Sequence, residues 1–238
     1  MLKATKQTGF SLIELMIAMT IGLFILGGTV AIFGALTRVS SETLRASRLN
    51  HDLRSTMELM VADIRRAGYW SGLTPDTVAA NPFTAAAVDI ALGEAGGQPA
   101  NSCILYAYDI GVDGVVDDGS AGTTNDRFGF RLRNGVVEMR AGGAGDFNCD
   151  DGQWEALTQA NSVQVTALAF DADGSLCINA GYSPGVLCDS VTPVSEDVLV
   201  TVREVNIRLE AENPTTPNIR ASLVNTVRVK NDKIEVTP

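Results

Sequence analysis

One carboxylate, Glu14, is the only charged residue in the run from Phe10 to Leu36, and that isolation is the sharpest chemical signal in the chain. On insertion scales an acid at bilayer depth costs roughly 2.5–3.5 kcal/mol, so it calls for a cationic partner. If the chain is cut after Gly9, the α-amine freed on Phe10 is such a partner, from four positions away or from a neighbouring copy. Cys103, Cys149, Cys177 and Cys188 form no C-x-x-C pair of the kind used by zinc and redox sites, and they read as disulfides. Four cysteines allow three pairings. Cys177–Cys188 is favoured because Gly181, Pro184 and Gly185 let the short segment between them turn back, and Cys103–Cys149 follows by elimination. Disulfides place the chain in an oxidising compartment.

The remaining acids and the one histidine offer less. Asp109, Asp113 and Asp117 are spaced by fours around Gly111 and Gly114, and this partly resembles a D-x-D-x-D-G calcium loop. Gly111 stands where the middle acid would be and Ser120 where a bidentate Glu would be, and turn chemistry explains Asp and Gly here equally well. Asp146, Asp150, Asp151, Asp171 and Asp173 are loop acids of the same kind. His51, beside Asp52, has no second histidine with which to build a metal site or a triad, and no G-x-S-x-G or phosphate loop is present. The sequence therefore predicts no catalytic site, and the chain is expected not to be an enzyme. A net charge of −10 and a pI near 4.6 argue against nucleic-acid binding, which needs clustered, undiluted Lys and Arg.

The element that must carry Glu14 is a helix. At about 1.5 Å per residue the run Phe10–Leu36 reaches roughly 40 Å, enough to cross the hydrocarbon core. Lys3 and Lys6 precede it and hold the N-terminus on the cytoplasmic side. A cleaved secretory signal would have a shorter apolar stretch, followed rather than preceded by its small-residue cleavage site. Beyond Thr37 the chain turns polar, but Leu49, Leu53, Met57, Met60, Ile64 and Ala67 recur at threes and fours and form one apolar face. Gly68 is the expected stop, with Arg65 and Arg66 in the last turn.

Gly9-Phe10-Ser11-Leu12-Ile13-Glu14-Leu15-Met16 resembles the prepilin motif of type IV pilins and type II secretion pseudopilins. The resemblance implies cleavage after Gly9 by a prepilin peptidase, methylation of Phe10, and use of Glu14 to bring each subunit into register in a filament. Loss of Lys3 and Lys6 with the leader would lower the charge of −10 by a further two. The stretch from Asp52 to Met60, running on through Asp63 to Trp70, is similar to the PilW family of minor pilins. That implies a subunit inserted in the inner membrane and later incorporated in the pilus at the cell surface. Its partners would be other minor pilins, the major pilin, the prepilin peptidase and an inner-membrane assembly platform. Pseudopilins of the GspJ kind have a related helix end.

Downstream the pattern is β. Strands are expected at Cys103–Ile110, at Phe128–Arg133 and Val136–Arg140 around an Asn134-Gly135 type I′ turn, at Val163–Phe170, at Val198–Leu209 and at Ala221–Lys230. The last two are joined through residues 213–217, and a phase shift between Val202 and Val205 predicts a bulge or break. Residues 71–102 read as a long loop or a region with a short helix. The expected fold is α+β, a long N-terminal helix packed on an antiparallel sheet, divided as leader 1–9, helix 10–68 and β-rich domain 69–238.

Overall fold

A computed structural model describes residues 9, 11–74, 77–120, 122–143, 145–182 and 185–238. Phe10, Lys3 and Lys6 lie outside the described residues, as does Pro184 between the paired cysteines. One helix, α1, runs Leu12–Ile64. The chain divides into two compact units, Met1–Arg45 and Ala46–Pro238.

In the first unit α1 leaves its apolar side chains uncovered: Phe24 is 83% and Phe33 70% exposed, and no residue of its most apolar stretch is buried. Length and composition suit it to cross a membrane.

In the second unit the helix has an inner face. Leu49, Leu53, Met57, Met60, Ile64 and the following Ala67 are all buried, as their spacing predicts. Each of the larger ones contributes about 1.5–3 kcal/mol through burial. They pack against strands of two of the domain's three sheets. Five come first: β1 (Ala91–Gly93), β2 (Cys103–Ala107), β3 (Arg127–Arg133), β4 (Val136–Gly142) and β5 (Gln153–Ala156), antiparallel in sequential order. Then come β6 (Gln164–Asp171), β7 (Leu176–Asn179), β8 (Val186–Leu187), β9 (Val198–Val202), β10 (Glu204–Asn213), β11 (Thr216–Arg228) and β12 (Lys233–Val236). These make a sheet ordered β11-β10-β6 and a smaller one ordered β12-β9-β7-β8. The common core joins α1 to Tyr106 and Phe130 of the first sheet and to Phe170 and Ile207 of the second. The fold is α+β, a long N-terminal helix on antiparallel sheets.

Several local expectations meet their structure. Asn134 and Gly135 take positive φ of 51° and 75°, the backbone a type I′ turn needs, and join β3 to β4. The predicted strand Val198–Leu209 is two strands broken at Arg203, whose buried guanidinium reaches Asp89 at 2.6 Å. β2 ends at Ala107, short of Ile110, because Asp109 turns the chain. Among the described residues, 71–102 hold two single-turn 3-10 helices and the short strand β1, closer to the short-helix expectation than to a plain loop; Phe83, in the second of these turns, is fully buried.

Regular helix ends at Ile64, four residues before Gly68, so Arg65 and Arg66 lie in a tightened turn beyond it. Arg66 N–H donates to the Asp63 carbonyl at 2.9 Å and Ala67 N–H to that of Ile64 at 3.1 Å. Donors from far along the chain satisfy the carbonyls left over: Lys230 N–H donates to Arg65, Asn231 Nδ2 to Arg66 and Ala67, and Arg203 Nη2 to Ala67. Gly68 has φ +73°, and a Cβ there would sit 2.3 Å from Arg203 Nη2 and 2.9 Å from Thr84 Cγ2. Gly68→Ala is therefore expected to cost about 1–3 kcal/mol through left-handed strain and displacement of Arg203. A thermal melt of the full chain followed by circular dichroism checks this.

Candidate functional site

At the start of α1 the Ser11 N–H donates to Glu14 Oε2 at 3.1 Å. This is half of an S-x-x-E capping box, a spacing visible in Ser11-Leu12-Ile13-Glu14 that adds a local role to the one expected for the acid. The carboxylate thus sits at the positive end of the helix dipole, where an incoming ammonium would also find it. Gly9 is exposed, and a Cβ there would meet nothing within 4 Å among the described residues. No steric demand of the described fold calls for glycine at that position.

The acids of the loop after β2 divide differently from their spacing. Asp109, 1% exposed, accepts from Ser71 N–H at 3.1 Å, Ser71 Oγ at 2.5 Å, and the amides of Asp113 and Gly114 at 3.2 Å each. Burial opposes its ionisation, but the Ser71 hydroxyl and the amides of Ser71, Val112 and Asp113 outweigh that and hold its carboxyl below the ordinary range. Asp126, fully buried, accepts from Ile110 and Asp117 amides at 2.9 and 3.1 Å; its carboxyl is raised, chiefly by burial.

The acids that converge are Asp113, Asp117 and Asp126, with carboxylate oxygens within 4.8 Å of one another. Asp109, which the four-residue spacing grouped with Asp113 and Asp117, is not among them; its oxygens accept from Ser71 and its own loop. Calcium takes six to eight oxygens, and three carboxylates, one of them already bonded to two amides, supply only part of that set. Turn chemistry, the reading that needs no ion, accounts for Asp109 and Asp126 directly. Asp150 and Asp171 likewise accept from nearby amides, those of Gly96 and Asp173.

The disulfides are Cys103–Cys149 and Cys177–Cys188, with Cα separations of 6.2 and 5.4 Å. The first ties β2 to the loop after β4 and, closing the longer loop, contributes about 2–5 kcal/mol. His51 is exposed, 3.7 Å from Asp52. Trp154 lies under the Arg131 guanidinium at 4.2 Å, and Trp70 packs on the Phe83 cluster.

Spacing did not reveal a polar contact buried beneath α1. Asp63 accepts from Tyr106 Oη at 2.5 Å and Tyr108 Oη at 2.8 Å, and Arg66 Nη1 lies 3.9 Å away. The available signal was an acid beside Ile64 on an otherwise apolar face. Burial, reinforced by the charge of Asp63, raises both phenols above their ordinary 10.0.

An apolar helix with one acid near its start and antiparallel sheets packed on its second half define a type IV pilin-like protein. The prokaryotic N-terminal methylation motif matches residues 4–30. The family of prepilin peptidase-dependent protein B matches residues 42–229, and the chain belongs to that family. It is 27% identical over 160 residues to prepilin peptidase-dependent protein B of Escherichia coli (strain K12), covering 67% of this chain and 75% of the relative. It is 22% identical over 192 residues to an uncharacterized protein of Haemophilus influenzae (strain ATCC 51907 / DSM 11121 / KW20 / Rd), covering 72% and 75%. No solved structure matches the chain.

Two outcomes are expected here. The unfolded chain releases tyrosine protons from about pH 10 while the folded one keeps those of Tyr106 and Tyr108, so the contribution of these two phenols to stability is constant below that pH and is lost as pH rises above it. Tyr106→Phe should lose about 1–3 kcal/mol, because Asp63 keeps one donor fewer, and should flatten the alkaline decline in melts from about pH 8 to 11. Millimolar calcium should leave the melting temperature unchanged; a rise of several degrees would assign an ion to Asp113, Asp117 and Asp126.

Proposed function

We propose that this chain is a minor pilin of the PilW branch, a non-enzymatic structural subunit that takes part in starting assembly of a type IV pilus. The observation that carries the reading is Gly9-Phe10-Ser11-Leu12-Ile13-Glu14 at the head of an apolar helix. The chain enters the inner membrane with its β domain in the periplasm, where the two disulfides suit an oxidising compartment. Prepilin peptidase cuts after Gly9, and Phe10 becomes the methylated N-terminus.

Lateral attraction then comes from packing the apolar helix among like helices of neighbouring subunits. Register comes from Glu14, which draws the Phe10 ammonium of an adjoining subunit. A carboxylate has lone pairs for more than one donor, so accepting from Ser11 does not prevent this. In an apolar surround, misregister leaves both charges unpaired, and that penalty selects the correct axial step.

The same motif serves a type II secretion pseudopilin equally well, and a loss-of-function strain separates the two: twitching fails in one case, protein export in the other. For either filament, Glu14→Ala should leave cleavage after Gly9 intact and abolish incorporation. Mass spectrometry of the mature N-terminus, together with the sheared-filament fraction, reads both. An N-terminus still at Met1, or normal incorporation of the variant, would overturn the reading.

A further inference from the structure

The chain's net charge is −10, yet four cations gather where α1 and β11 end. Two adjoining hollows of about 520 Å³ each meet there. One is lined by Arg66, Tyr69, Ile110, Val112 and Lys230 among others, and the second by Arg65, Thr226, Arg228, Val229 and again Lys230. Arg66 and Arg228 lie 3.9 and 4.0 Å from Asp63 and Asp232, at the outer limit of an ion pair, and both side chains are largely exposed. Their charge therefore faces outward.

The wall of the first hollow is apolar and held in place. Ile110 and Val112 point largely into solvent, and Val112 has φ +58°, a left-handed backbone that is an outlier for a β-branched residue. Asp109 and Asp126 fasten the segment on both sides through the amides of Ile110, Asp113, Gly114 and Asp117. An exposed apolar projection fixed against strain is prepaid for binding, since little ordering is left to do. Arginine and tyrosine around an apolar centre is also the composition of interface hot spots.

The same chain carries the complementary surface. Of its 28 acids, only Glu14, Glu42, Asp52, Glu58 and Asp63 precede residue 67. Asp113 and Asp117 lie on the loop after β2, and Asp146 and Asp151 on the loop after β4; the two loops adjoin through a Gly143 N–H to Asp118 carbonyl bond of 3.1 Å. Asp113, Asp146 and Asp151 are exposed residues and Asp117 is partly buried.

We propose that the hollows bounded by Arg65, Arg66, Arg228 and Lys230, with Ile110 and Val112 as their apolar wall, dock the acidic loops of a second copy of this chain. This docking rests on the filament-subunit reading only in that such a contact is of use to a protein that assembles; Glu14 takes no part in it.

The test is sedimentation velocity of the full chain in detergent micelles. Helix–helix association gives a background common to all variants, and the proposed contact adds a component weakened about tenfold or more between roughly 50 and 500 mM salt. Arg65→Glu/Arg228→Glu and Asp117→Lys/Asp146→Lys should each remove that component while keeping the wild-type melting temperature. An equimolar mixture of the two should regain it, because reversed hollow meets reversed loops. Association indifferent to salt, a mixture that does not recover, or binding of the hollows to phosphatidylglycerol vesicles in place of a second copy would overturn the proposal. Failure here leaves cleavage after Gly9 and incorporation through Glu14 untouched, so the two readings fail separately.

Discussion

The inner face of α1 from Leu49 to Ile64 is the surface that the Ala46–Pro238 unit is built around. β2 and β3 bring Tyr106 and Phe130 to it from one sheet, and β6 and β10 bring Phe170 and Ile207 from another. Neither sheet closes on itself, so each needs the helix to cover its apolar side. The helix in turn has no reason to hold its pattern without them, since helical stability in water comes mostly from packing an amphipathic face.

Polar groups at the end of that face fix its position. Asp63 would be costly under the sheet without donors, and it has two phenols aimed at it. A few residues on, the carbonyls that α1 cannot satisfy are taken by Lys230, Asn231 and Arg203, from the far side of the chain's sequence. Apolar packing alone would let a helix slide along a sheet. A buried acid and three capped carbonyls allow one depth and one angle, because any shift leaves polar groups unpaired.

The first part of α1 answers to different surroundings. Between Leu12 and Leu36 it is apolar on every side and uncovered, which is tolerable in lipid or among like helices and not in water. Under the proposed assembly, Glu14 is the exception that gives such a segment direction. Apolar packing sets no axial step, whereas a charge that must be met does.

The chain's order of letters determined the elements whose signals are local: the apolar helix with its single acid, the prepilin motif, the amphipathic face, the Asn134-Gly135 hairpin and the break near Val202. Each rests on contacts or dihedral preferences within a few residues, so composition and spacing carry it. β5, β7, β8 and β12 escaped because two to four residues are too few to show a period. Tertiary structure alone decided that Asp126, not Asp109, joins Asp113 and Asp117, that Arg203 leaves its strand to cap a helix end far behind it, and that Tyr106 and Tyr108 converge on Asp63. Those pairings join residues far apart in sequence, and their energy exists only once the chain has brought them within hydrogen-bond reach.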